Sequence, residues 1–183
     1  HWEIWNEPDL TSGATSAVSP TWGGAWEDYY RLYTVTAKAI KARFPDLNVG
    51  GPAMTGGGVA SQFLAGFLAH CRQHNAPLDF CSWHHYTSEP REIIDLSAQV
   101  RRLLDAYGFA QTISVLDEWN YIPPAMDWRA LFGAANPREQ RRLAQEIAGP
   151  AGAAYDAATL LFMQDCPIDI ATFYLADALP YFS

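Results

Sequence analysis

The chain has 183 residues, of which 49% are hydrophobic, 14% aromatic and 17% charged. This length and apolar content suit one folded domain and argue against intrinsic disorder. The net charge of −8, with no cluster of Lys or Arg, argues against nucleic-acid or anionic-membrane partners, which need a basic surface. The three cysteines, an odd number without a closely spaced pair, do not indicate a disulfide framework or a zinc motif. No apolar run is long enough to predict a membrane-spanning helix.

Short apolar runs alternate with longer amphipathic runs along the chain. The short runs predict strands at residues 1–5, 48–53, 78–83, 112–116 and 168–175. Apolar residues spaced by three and four predict helices over residues 24–44, 63–71, 93–107, 138–147 and 151–164. Gly56–Gly58 is predicted to form a turn, and residues 10–24 and 120–136 are predicted to form loops.

This alternation is typical of βα units on a parallel sheet, so the predicted fold class is α/β in one domain, residues 1–183. Ligands of such proteins bind at the carboxyl ends of the strands. Two carboxylates, Glu7 and Glu118, follow different predicted strands, each beside Asn and Trp. Paired carboxylates suit cleavage of a glycosidic bond, because one protonates the leaving oxygen while the other attacks or stabilises the anomeric carbon.

Four motifs resemble those of one known family. WEIWNEPD at residues 2–9 resembles the acid/base motif that ends the fourth strand of (β/α)8 retaining glycosidases, and VLDEWN at 115–120 resembles the nucleophile motif that ends the seventh. GGPA at 50–53 and DFCSWHHYTS at 79–88 resemble the fifth and sixth strands of glycoside hydrolase family 39, which includes β-xylosidases and α-L-iduronidases. The resemblance implies a partial (β/α)8 TIM barrel covering strands four to eight, with the first three βα units absent.

The resemblance also implies the catalytic roles. Glu7 would be the general acid/base and Glu118 the nucleophile of a double displacement, which needs no cofactor and no metal. Strand alternation places Glu118 on the same face as Leu116, and Asp117 on the opposite face. Asp117 is the competing nucleophile, and only the register of the motif selects Glu118. The two catalytic carboxyl groups are expected to lie about 5 to 5.5 Å apart.

The expected substrate-binding residues are Asn6, His84, Tyr86, Trp119 and Phe173. By analogy with the family, Asn6 would hydrogen-bond the 2-hydroxyl of the sugar, and the Tyr86 hydroxyl would hold Glu118. Two alternatives stay open: Trp119 could belong to the core, and His84 could support the site without touching the ligand.

The eighth strand of the resembled fold departs from the family pattern. Phe173 and Tyr174 stand where the β-xylosidases of the family usually carry a Trp, which argues against a firm choice of xylose. The favoured function is a β-xylosidase-like retaining exo-glycosidase with a carbohydrate substrate. The alternatives are a catalytically incomplete sugar-binding fragment and another (β/α)8 retaining glycosidase, such as an endo-glucanase or mannanase. The sequence leaves the linkage, the localisation and the oligomeric state open.

Overall fold

The computed structural model describes residues 1–10, 21–124 and 137–174. These residues form one parallel sheet in which the strands neighbour each other in chain order. The strands are β1 (Trp2–Glu3), β2 (Val49–Met54), β3 (Phe80–Thr87), β4 (Ile113–Tyr121) and β5 (Ile170–Phe173). The helices are α1 (Trp26–Arg43), α2 (Gly56–Ala60), α3 (Phe63–Gln73), α4 (Pro90–Ala106), α5 (Pro137–Ile147) and α6 (Pro150–Met163). None of the helices in these ranges is long and apolar enough to cross a membrane.

The predicted α/β class and the order of strands and helices are confirmed. Strands β3 and β4 extend further than predicted, because the polar residues at their carboxyl ends continue to pair, as Tyr86 does with Asn120. The turn predicted at Gly56–Gly58 is wrong. These glycines begin α2, and the hydroxyl of Thr55 caps this helix by accepting a hydrogen bond from the Gly58 N–H. Residues 11–20 and 125–136 of the predicted loops, and the end of the fifth predicted strand, lie outside the described residues.

The hydrophobic core lies between the sheet and the helices. Tyr33 of α1 and Phe67 of α3 are fully buried and meet edge to face, with ring centroids 4.8 Å apart. Trp83 of β3 is also fully buried, and its indole N–H donates to the Ser114 hydroxyl of β4. Strands β2 and β3 approach closely at Gly50, where a Cβ atom would lie 2.3 Å from the Phe80 carbonyl oxygen. This packing holds the carboxyl ends of the strands side by side.

Candidate active site

Glu7 lies in the loop directly after β1, and the backbone of this loop is fixed at several points. The Glu7 N–H donates to the carbonyl of Ala53 in β2 at 2.9 Å, and the Thr21 hydroxyl donates to the Glu7 carbonyl at 2.8 Å. Trp5 and Glu7 both adopt left-handed backbone conformations, with φ of 75° and 46°. Such conformations cost on the order of 1–3 kcal/mol each and cluster at functional sites. These contacts therefore fix the backbone of the loop, so that Glu7 lies beyond the carboxyl end of β1.

Strand β4 contains a β-bulge beside the predicted nucleophile. Trp83 of β3 pairs with Leu116, but the next residue of β3, His84, pairs with Glu118, so Asp117 is an extra residue in β4. The pairing of β4 with β5 shifts over the same stretch. A bulge redirects side chains that strict alternation would separate. The prediction that Asp117 and Glu118 occupy opposite faces is therefore wrong, because both carboxylates lie within 3.5 Å of His84.

His84 connects these carboxylates. It is only 1% exposed, and its Nδ1 atom lies 2.9 Å from Glu7 Oε1 and 3.5 Å from Glu118 Oε2. Its Nε2 atom lies 3.5 Å from Asp117 Oδ1. Burial alone would lower the pKa of His84, but the interactions with Asp117, Glu7 and Glu118 outweigh it and raise the pKa to about 10. The ring is therefore an imidazolium near neutral pH.

The structure brings the two predicted catalytic carboxylates together. Ligand atoms of Glu7, His84 and Glu118 all lie within 4.8 Å of one another. An oxygen of Glu7 is therefore no further than 4.8 Å from an oxygen of Glu118, while the exact separation of the two carboxyl groups stays a prediction. In inverting enzymes the two carboxyl groups are about 6.5–9.5 Å apart, so the distance between these oxygens is shorter than an inverting reaction needs.

Asn6 lies next to Glu7 and is exposed to solvent, and its contact with a sugar stays a prediction.

Tyr86 contacts Glu118 as the sequence predicts. Its hydroxyl donates a hydrogen bond of 2.6 Å to Glu118 Oε2. Burial and this hydrogen bond to a carboxylate raise the pKa of Tyr86 well above its ordinary value, so the hydroxyl keeps its proton and stays a donor.

Glu7, His84 and Glu118 bring three ligand atoms close enough together to suit a cation, but the Nδ1 atom of His84 faces Glu7 at hydrogen-bond distance. A ring nitrogen that donates a hydrogen bond has no lone pair for a metal, so we describe the cluster as a hydrogen-bonded one.

Glu3 of β1 adds a further carboxyl group to this face of the sheet. Although Glu3 keeps a solvent-exposed surface, partial burial and the neighbouring charge of Asp117 raise its pKa to about 7. A hydrogen bond between Glu3 and Asp117 contributes in the same direction, while the Ser82 hydroxyl and His84 oppose it. Glu3 was not predicted as a site residue, because the sequence places it inside a strand rather than after the end of one.

The aromatic residues at the ends of β4 and β5 are arranged differently from the prediction. Trp119 is 2% exposed and packs against Phe173 and against Tyr155 of α6, with ring centroids 5.0 and 6.5 Å away. It lies on the helix-facing side of β4, so its burial contradicts the predicted role of Trp119 in substrate binding and supports the alternative of a core residue. Phe173 belongs to the same aromatic group but keeps 40% exposure, and its contact with a substrate stays a prediction. Tyr174, which was not predicted as a site residue, instead lies beside Tyr86, with ring centroids 6.2 Å apart.

Parallel strands covered by helices, with two close carboxylates at the carboxyl ends of the strands, have the architecture of α/β-barrel glycosidases. The model of the family described as glycosyl hydrolases family 39 matches residues 1–123 of the 183 residues. The chain therefore belongs to glycosyl hydrolase family 39, which the four sequence motifs indicated.

Individual relatives agree with this assignment. The chain is 40% identical over 87 residues to a beta-xylosidase from Geobacillus stearothermophilus, an alignment that covers 48% of this chain and 16% of that protein. A beta-xylosidase from Caldicellulosiruptor saccharolyticus is 33% identical over 87 residues, with the same coverage.

Two solved structures superpose on nearly the whole chain. A glucosidase from Croceicoccus marinus has a TM-score of 0.72 at 29% identity, covering 97% of this chain and 33% of that one. A monomeric beta-xylosidase from Caulobacter crescentus CB15 has a TM-score of 0.66 at 25% identity, covering 94% of this chain and 32% of that one. These superpositions confirm the predicted partial α/β barrel. The chain spans about a third of the length of these solved relatives.

Proposed function

We propose that the protein is a retaining exo-glycosidase of the β-xylosidase type. The observation that carries this proposal is the pair of carboxylates, Glu7 and Glu118, within 4.8 Å of each other and held by different partners. The spacing suits a direct attack on the anomeric carbon rather than the insertion of a water molecule. The similarity to two curated beta-xylosidases supports the choice of sugar.

The mechanism assigns a separate role to each carboxylate. Glu118 attacks the anomeric carbon and forms a covalent bond to it, while Glu7 gives a proton to the departing oxygen. Glu7 then removes a proton from water, which attacks the anomeric carbon and releases Glu118. Two inversions at the same carbon give a product with the original configuration. The hydrogen bond from Tyr86 fixes the orientation of Glu118, so that one oxygen is held by the tyrosine and the other is available for attack.

An assay with aryl β-xylosides tests this function. We expect hydrolysis with retention, so that β-xylose is the first product seen by NMR before mutarotation. Aryl β-glucosides form a second arm, because the superposition on a glucosidase favours glucose as the other candidate sugar. Xylan, glucan and mannan polymers form a third arm that distinguishes exo from endo action. A first product of inverted configuration would contradict the mechanism, and sugar binding without turnover would support a binding role instead.

Tyr86→Phe tests the proposed support of the nucleophile. The variant keeps the ring but removes the hydroxyl that donates to Glu118. We expect the rate of formation of the glycosyl-enzyme to fall on the order of 10²-fold, the size of effect seen when one preorganised donor is removed. Tyr121→Phe is the matched control, because Tyr121 is buried on the side of β4 that faces Tyr155 of α6. Equal losses in the two variants would show that the effect is only structural.

A further inference from the structure

Two buried polar atoms beneath the candidate catalytic pair have no hydrogen-bond partner within the described residues, and they face each other. They are Nε2 of His84 and Oδ1 of Asp117, 3.5 Å apart. A buried polar group without a partner costs about 1–3 kcal/mol, so a donor and an acceptor placed in this way strongly favour each other. An ionised Asp117 can only be satisfied there by a proton on Nε2, because a lone pair at Nε2 would repel it.

The β-bulge is the feature that creates this contact. With regular alternation, Asp117 would point to the opposite face of the sheet from Glu118. The bulge is supported from β5, where the Thr172 hydroxyl donates a hydrogen bond of 2.5 Å to the Asp117 carbonyl oxygen. This hydrogen bond fixes the Asp117 backbone independently of His84.

We propose that Asp117 is a positioning residue for Glu7: it keeps one proton on Nε2 of His84, so that Nδ1 gives a proton to Glu7 in the first chemical step and takes one back in the second. This inference rests on the proposed function. It extends that function by giving Glu7 a dedicated proton store, reached through the contact of 2.9 Å between Nδ1 and Glu7 Oε1.

The charges balance through the proposed cycle. Before reaction, Glu7 and Glu118 are carboxylates and His84 is an imidazolium, which gives the three groups a net charge of −1. In the first step the Nδ1 proton passes through Glu7 to the leaving oxygen, and Glu118 loses its charge by bonding to the sugar. The three groups again sum to −1, with Glu7 ionised and ready to act as a base. In the second step a proton from water passes through Glu7 back to Nδ1, while Glu118 is released as a carboxylate.

Loss of the charge on Glu118 also favours the proton transfer. Glu118 Oε2 lies 3.5 Å from Nδ1, so its carboxylate stabilises the imidazolium until the glycosyl bond forms. Within the part of the chain that the structure describes, the charged groups that act on His84 are Glu3 and Glu7 from β1 and its loop, and Asp117 and Glu118 from β4, while β2 contains no titratable residue. Glu3 forms a hydrogen bond with Asp117, and burial together with the charge of Asp117 raises the pKa of Glu3 to about 7.

Asp117→Asn tests the proposal by removing the charge with little change in shape. We expect kcat/KM for alkyl β-xylosides, which need the acid, to fall about 10- to 100-fold, with almost no change for dinitrophenyl xylosides. The alkaline limb of the pH profile should move to lower pH by about one unit or more, because His84 loses an opposite charge and releases its proton earlier. The matched control is Glu92→Gln, which removes the exposed carboxylate partner of the neighbouring His85, 2.9 Å away, and should leave the profile unchanged.

NMR of the ring nitrogens of His84 gives a readout that is independent of turnover. In the full-length wild-type protein, with the signals assigned by their loss in His84→Gln, we expect Nδ1 to lose its proton first as the pH rises and Nε2 to retain it. This measurement needs no substitution of Asp117, so a variant that fails to fold does not remove the test. A last proton on Nδ1, or an unchanged pH profile in Asp117→Asn, would overturn the proposal. Absence of any glycosidase activity in the wild-type protein would instead overturn the proposed function, while the NMR result would still report on Asp117.

Discussion

Glu118→Gly is expected to reduce turnover of aryl β-xylosides by about 10⁴-fold or more, because it removes the carboxylate that the proposed mechanism uses to form the covalent bond to the sugar. Asp117, the competing nucleophile, faces Nε2 of His84, whereas Glu118 lies close to Glu7 and accepts a hydrogen bond from Tyr86. The substitution removes the side chain and leaves a space where a small anion fits. Steady-state kinetics in the full-length protein measure the loss.

Azide should restore turnover of the Glu118→Gly variant and give a glycosyl azide of inverted configuration. The anion would attack from the side that the carboxylate occupied, so only one inversion takes place. Azide added to the wild-type protein is the control and should have little effect. A variant that keeps most of its activity, or an azide product of retained configuration, would contradict the assignment of Glu118 as nucleophile.

Glu7→Ala should behave differently from Glu118→Gly. Leaving groups of low pKa depart without a proton, so formation of the glycosyl-enzyme from dinitrophenyl substrates should be almost unchanged, while alkyl glycosides should react about 10²- to 10⁴-fold more slowly. A burst of dinitrophenol followed by slow turnover would show that the intermediate accumulates for lack of a base. If the two variants depended on the leaving group in the same way, the assigned roles of Glu7 and Glu118 would be wrong.

The placement of the two carboxylates was predictable from sequence because it depends on topology. Parallel strands joined by helices all point the same way, so their carboxyl ends lie together at one end of the sheet. Residues that follow directly after two such strands therefore meet, even when 111 positions separate them, as they do for Glu7 and Glu118. The contact between Tyr86 and Glu118 follows from the same rule, since β3 and β4 are neighbours.

The position of Asp117 could not be predicted, because the bulge has no signature in the sequence of β4 alone. It appears only when the residues of β4 are aligned with their partners on β3 and β5. Trp119 is a different case. Alternation directs the residue after Glu118 to the opposite face of the strand, toward the helices, so the burial of Trp119 was predictable once Glu118 was assigned to the site. The family motif suggested a sugar contact for Trp119 because an aromatic residue stands beside Glu118, but it does not say which face of the strand that residue occupies.

The 183 residues expressed as an isolated chain are expected to self-associate or to unfold at low temperature. The described sheet has β1 at one edge and β5 at the other. Large apolar side chains are exposed on both edge strands, including Trp2 of β1 at 58% and Ile170 of β5 at 38%, and Leu161 of α6 is 67% exposed. Strand edges and contiguous apolar surface favour pairing with another chain. Sedimentation velocity over a range of concentrations measures the association, and thermal unfolding measures the stability.

The energetic reason is the size of the exposed apolar surface relative to the stability of a domain. Each Å² left in water forgoes roughly 25 cal/mol, so a few hundred Å² amount to several kcal/mol, against a typical total of about 5–15 kcal/mol. Leu161→Lys with Ile170→Lys should weaken self-association by placing charges on β5 and on the exposed surface of the helix that precedes it. Val35→Lys is the matched control, because Val35 is equally exposed but lies on α1, which packs against β2 rather than β5. A wild-type chain that stays monomeric and melts in one sharp transition at high temperature would show that these edges do not need a partner.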